Sequence, residues 1–136
     1  MDDVMTGTFP ATLEGLSGAS EFLDSLLGRS AASARVRSAL LIAVDEIGSN
    51  IVRYSGAPDF TVSMEEAGDP PTIRISFSDA GAPYNPLAHK DPDVSLSAEE
   101  RGIGGLGLLM VKKMMDEFEY VHADGRNILK IGKRSE

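Results

Sequence analysis

The sequence predicts an α+β fold: a two-layer sandwich in which about three helices cover one face of a mixed, mostly antiparallel sheet. Three observations carry this. Two apolar stripes with helical spacing stand in the N-terminal half, around Phe22 and around Leu40. Two pairs of alternating segments, joined by turn-forming residues, read as hairpins. Helices and strands in this order bury their apolar faces against one another in two layers.

Each element follows from its residues. The segment TGTFPA at 6–11 reads as an edge strand. Ala19, Phe22, Leu23, Leu26 and Leu27 then recur at helical spacing and stop at Gly28, which predicts a helix over 13–28 with the glycine as C-cap. A second helix starts near Ser33 and carries Val36, Leu40, Val44, Ile47 and Ile51 on one stripe, ending before SGAP at 55–58. Phe60, Val62 and Met64 alternate, EAGDPP turns, and Ile73, Ile75 and Phe77 alternate again, giving a hairpin of half-buried strands. Residues 80–101 are rich in Pro, Asp, Ser and Ala without periodicity, a long loop of the kind compact domains reserve for function or leave disordered. A third helix is predicted at about 105–116, and FEYVHA, DGRN and ILKIG then form a closing hairpin around Asp124-Gly125.

With 136 residues the chain makes one domain, 1–136, and can bury about two-thirds of the surface its unfolded form exposes. It contains no cysteine, which removes disulfides and thiolate metal sites and fits a reducing compartment. The N-terminus MDDVMTGTFP is acidic and lacks an apolar signal core, and the longest apolar run, Ala39 to Val44, is too short to span a bilayer. These features predict a soluble, cytoplasmic protein with no membrane contact. A net charge of −8, with 13 dispersed basic residues, argues against a nucleic-acid surface, which needs clustered Lys and Arg.

Three stretches stand out. In RGIGGLGLL, Gly102, Gly104 and Gly107 match G-x-G-x-x-G, but a polar loop precedes them and a hairpin follows their helix, so the βαβ context of a dinucleotide fold is missing. No G-K-[ST] follows, which removes a P-loop. Taken alone, the glycines also suit a hinge into a packed helix. In VDEIGSNIVRYSG, Glu46 and Asn50 are one turn apart on the shoulder of the apolar stripe, whereas Asp45 points about 100° away into solvent. By itself that pair also suits an ordinary solvated helix face. In IRISFSDAGAPYNP, the period of two places Asp79 and then Gly81 on the apolar side of their strand. A buried acid without partners costs several kcal/mol, so Asp79 must accept hydrogen bonds from a turn or from a ligand.

Together, DEIGSN, DAGAP and GIGGLGL resemble the N box and the two glycine boxes of the GHKL ATPases, in the same order and at similar gaps. That superfamily includes the ATP-binding domains of gyrase, heat-shock chaperones, histidine kinases and mismatch-repair proteins. The C-terminal run GGLGLLMVKKMMDEFEY...DGRNILKI is most similar to the bacterial anti-sigma-factor serine kinases. The resemblance implies the Bergerat ATP-binding fold and Mg²⁺-ATP as cofactor. Asn50 would hold Mg²⁺ and Glu46 would act as general base. Asp79 would accept the adenine amino group, with Gly81 letting the backbone approach the base. Gly102, Gly104, Gly105 and Gly107 would bring N–H groups to the phosphates, with residues 82–101 as a lid. Tyr54 stands where many relatives carry His, and Asn127 where many carry Thr. His89 and His122 read as surface or packing residues. By the same resemblance, the chain is an ATP-dependent protein serine/threonine kinase whose partners are a sigma factor and a STAS-domain anti-anti-sigma protein that would be phosphorylated on a serine or threonine, and a homodimer is allowed. The rival reading from another class is a nucleotide-gated binding module that transfers no phosphate.

Overall fold

Thr12 and Ser33 each stop the preceding backbone and start a helix. The Thr12 hydroxyl accepts from Gly15 N at 3.0 Å and the Ser33 hydroxyl from Val36 N at 3.2 Å, so each satisfies one of the amides a helix N-terminus leaves without a partner. The structure, a computed structural model, describes residues 4–83 and 103–136, the side chains of 103–106 excepted. Strand β1 spans Met5–Pro10, helix α1 Leu13–Gly28 and helix α2 Ala34–Asn50, which continues into a π-helical turn at Ile51–Ser55. Strands β2 (Asp59–Ala67) and β3 (Thr72–Asp79) follow, then helix α3 (Ile103–Met114) and strands β4 (Glu117–Ala123) and β5 (Arg126–Arg134).

The five strands form one sheet in the order β1-β2-β3-β5-β4, and all four pairings are antiparallel, so the sheet is less mixed than the sequence suggested. Strand β1 is an edge, as TGTFPA implied. The expected hairpins are both present, the second turning at Asp124-Gly125, where positive φ at both residues (54° and 74°) gives the twist that matches two antiparallel strands.

Period-two alternation separates the faces of this sheet. Phe60, Val62, Ile73, Ile75, Phe77 and Ile131 are buried under the helices, packed with Leu23, Leu27, Leu40, Val44 and Ile47 from α1 and α2. The opposite face is polar. There Thr6 bonds Ser63, Thr8 bonds Thr61, and Arg74 makes a two-pronged salt bridge with Glu117 across the width of β5.

Helix α3 begins two residues before its expected start and ends two before its expected stop. At the C-terminal end the tertiary structure decides: Lys133 Nζ donates to Met114 O at 2.7 Å, and Asp116 N donates to Gly132 O at 2.9 Å, which draws the chain into the sheet. Among the described residues no helix is long and apolar enough to cross a membrane. The expected lid lies almost wholly outside the described residues, as do His89 and Gly102.

Candidate functional site

The sheet and α2 meet α3 over a cleft that is open to solvent on one side. Its apolar walls are Ile47, Ile51, Phe77, Leu108 and Leu129, and its polar groups are Asn50, Ser55, Asp79, Tyr120 and Asn127. An apolar slot with a few convergent polar groups suits a flat, partly polar ligand.

Asp79 reaches the cleft because the strand's phase puts it there, on the same side as Phe77, and it is only 4% exposed. Its Oδ1 accepts from Gly81 N at 2.8 Å and from Asn127 Nδ2 at 3.1 Å. Of the two sources of hydrogen bonds expected for this acid, the turn supplies one through Gly81 N, and the side chain also lines the cleft. Gly81 carries no side chain because there is no room for one: a Cβ there would lie 2.1 Å from Ser55 O. The π-helical turn delivers that carbonyl, which also accepts from Ala82 N at 3.3 Å, so the end of α2 and the turn after β3 are tied together.

Asn50 is 5% exposed. Its Nδ2 donates to Glu46 O at 2.8 Å, while its Oδ1 is buried and has no hydrogen-bond partner among the described residues. A buried amide oxygen left unsatisfied carries a desolvation cost of about 1–3 kcal/mol, which a cation or donor in the cleft would remove. As a hard oxygen ligand it fits Mg²⁺, which keeps several waters and takes phosphate oxygens beside one or two protein groups. Among the described residues there is no cluster of three or more His, Asp or Glu with metal-ligating geometry.

Glu46, one turn before Asn50, is half-buried. Burial pushes its pKa above the ordinary value, Arg53 partly opposes this, and Asp45 adds to it. A raised carboxyl pKa suits a proton acceptor working nearer neutrality. Asp45 points outward as expected and accepts from Ser20 Oγ at 3.0 Å.

The glycines of α3 divide. Gly104 and Gly105 lie in its first turn, whose N–H groups have no intrahelical carbonyl to reach and where the helix dipole favours an anion. Gly107 lies beyond that turn, where the i→i−4 pattern takes its N–H, and its requirement is a different one. A Cβ at this position would sit 1.9 Å from Glu46 Oε2.

Two cleft residues had no assigned role in the sequence reading: Tyr120, and Asn127, noted there only as a departure from Thr. Asn127 faces Asp79 in the β3–β5 register, and the Tyr120 hydroxyl bonds its Oδ1. The signal was present, since Asn127 shares the inward phase of Leu129 and Ile131. Tyr54 is 53% exposed on the π-helical turn, and His122 is exposed on β4.

The protein is thus an α/β sandwich with a polar-studded cleft between a helix carrying Glu46 and Asn50 and a strand ending in Asp79. The chain belongs to the histidine kinase-like ATPase domain family, whose model matches residues 9–133. It is 27% identical to the serine/threonine-protein kinase BtrW of Bordetella bronchiseptica, covering 84% of this chain and 82% of that one. It is also 27% identical to the serine-protein kinase RsbW of Listeria monocytogenes, covering 95% of this chain and 86% of that one. Its fold is similar to a crystal structure of the RsbU and RsbW domains of a Mycobacterium tuberculosis protein, with TM-score 0.70 and 20% identity, covering 97% of this chain but only 32% of that one. The similarity within the family thus runs to the bacterial serine kinases, the branch that the motifs resemble.

Proposed function

We propose that this protein binds Mg²⁺-ATP in the cleft, phosphorylates a serine of a STAS-domain anti-anti-sigma protein, and sequesters a sigma factor in a partner-switching cycle. The observation that carries the reading is Asn50 Oδ1, a buried acceptor without a partner among the described residues, in the same cleft as the buried carboxylate of Asp79. The kinase names of the relatives support the choice of branch.

In this reading Asn50 holds Mg²⁺, which neutralises phosphate charge when bound. Asp79 accepts the adenine amino group while Phe77, Ile51 and Leu129 supply apolar contact to the base. Gly104 and Gly105, with Gly102 before them, present amides to the phosphates. Gly107 makes room for Glu46, and Glu46 takes the proton of the acceptor hydroxyl. Phosphoryl transfer depends mostly on positioning and charge stabilisation, so the acceptor serine must enter at the open mouth of the cleft.

Incubation with labelled ATP and candidate STAS proteins tests this. Mg²⁺-dependent label on a STAS serine is the expected result, together with loss of nucleotide affinity by more than about tenfold in Asp79→Asn, which turns a charged acceptor into a neutral amide. ATP binding with no phosphate on any partner, sigma factor retained, would replace the kinase reading with that of a nucleotide-gated binding module. Unchanged ATP affinity in a folded Asp79→Asn protein would remove the adenine assignment.

A further inference from the structure

Asn127 does more than fill the place where many relatives carry Thr. Its Nδ2 donates to Asp79 Oδ1 at 3.1 Å and to Ala82 O at 2.8 Å, with a longer contact to Gly81 O at 3.3 Å. The Tyr120 hydroxyl bonds its Oδ1. Turning the amide over would place its oxygen against a carboxylate and two carbonyls, none of which can donate, so the orientation is dictated by its neighbours. One side chain on β5 therefore ties the last residue of β3 to the turn that follows it.

The consequence falls on Asp79. Its Oδ1 is already taken by two donors, Gly81 N and Asn127 Nδ2, whereas Oδ2 accepts from no described residue. We propose that Asn127, held by Tyr120, is a positioning residue that sets base selectivity: by occupying Oδ1 it leaves Oδ2 as the one oriented acceptor, which takes the 6-amino group of a purine and faces a 6-oxo purine oxygen to oxygen. This rests on the reading that Asp79 meets the base. Without the Asn127 donor the carboxylate can rotate and the 81–82 backbone loses its anchor, so the arrangement that favours an amino group over an oxo group relaxes.

The test compares Mg²⁺-ATP and Mg²⁺-ITP affinities by titration calorimetry in the wild type, Asn127→Ala, Asn127→Thr and Tyr120→Phe, with urea stability measured in parallel. Asn127→Ala is expected to lose about tenfold in ATP affinity, the worth of one hydrogen bond to a charged group, with a smaller loss for ITP, so that the ATP/ITP ratio falls. Asn127→Thr keeps a donor for Asp79 and should recover part of the ratio. Tyr120→Phe should shift it in the same direction by less. A purely structural Asn127 would lower urea stability and leave the ratio where it was, and an unchanged ratio in Asn127→Ala overturns the proposal. Should Asn127→Ala not fold, an unchanged ratio in Tyr120→Phe does so. A folded wild type that binds neither nucleotide would sink the ATP reading itself, a separate and recognisable failure.

Discussion

Gly107 and Glu46 are packed so closely that the smallest side chain would not fit between them: a Cβ on Gly107 would fall 1.9 Å from Glu46 Oε2 and 2.2 Å from its Cδ. The proposed base is thus seated against the backbone of α3, and its carboxyl, the far end of a flexible side chain, would have to move to admit one methyl group. Gly107→Ala should gain only part of the about 1 kcal/mol that alanine normally contributes over glycine in a helix, because the Glu46 carboxyl must swing aside to admit the methyl group. Adding Glu46→Ala should release the rest of that gain, because the two changes share one contact and are not additive. Urea denaturation of the two single variants and the double variant checks this, and simple additivity would contradict the packing relationship.

Asn50 offers a test with opposite signs in two conditions. Its Oδ1 has no partner among the described residues, so Asn50→Leu should leave stability without nucleotide unchanged or raised despite removing a buried polar group. The same variant should lose the stabilisation by Mg²⁺-ATP, which for the wild type amounts to about 2.7 kcal/mol at a hundred times Kd. Thermal melts with and without Mg²⁺-ATP decide the matter. A variant that melts early yet keeps its nucleotide-induced shift would mark Asn50 as a purely structural residue.

Residue phase made most of the fold and part of the cleft legible. Val36, Leu40, Val44 and Ile47 announced α2, and Asp79 announced itself by standing in the phase of Ile75 and Phe77. The α3 boundaries were not legible because they depend on distant residues: Lys133 and Gly132 bond the chain at Met114 and Asp116. The π-helical turn at Ile51–Ser55 was equally hidden, since Ile51 keeps the apolar stripe whether the helix is α or π, and what the turn achieves is set by contacts of Ser55 with Gly81 and Ala82. Asn127 carried the same phase signal as Asp79. Its role becomes visible only when the strand register places the two residues opposite one another.

Within the α2 pair, binding and chemistry should separate. Glu46→Gln preserves shape against Gly107 but cannot take a proton, so ATP affinity should persist while phosphoryl transfer slows by about 10² to 10⁴, the range for losing a general base. Asn50→Ala should instead weaken Mg²⁺-ATP itself. Titration calorimetry alongside single-turnover transfer distinguishes the two, and equal losses of binding in both variants would reduce this helix face to a structural element.

The two perturbed carboxyls of the described structure predict opposite pH dependences. Burial raises Glu46 above the ordinary value of 4.5, so between that value and its folded pKa the folded protein holds a proton that the unfolded chain has released. Stability therefore falls as pH rises through this window, and the cost persists at neutral pH. Glu46→Gln removes it, so the variant should gain on the wild type as pH rises through the same window. Glu117 is the reverse case: its hydrogen bond from Arg74 holds the carboxyl below 4.5, and its contribution is complete above 4.5 and lost as pH falls through the folded value. Glu117→Gln should be less stable than the wild type at neutral pH, by a small margin because the pair is solvent-exposed, and the gap should close in acid. Urea denaturation of the three proteins from acid to neutral pH measures both differences. A Glu46→Gln difference that fails to grow above 4.5 would mean that Glu46 is as solvated in the folded protein as in the unfolded chain.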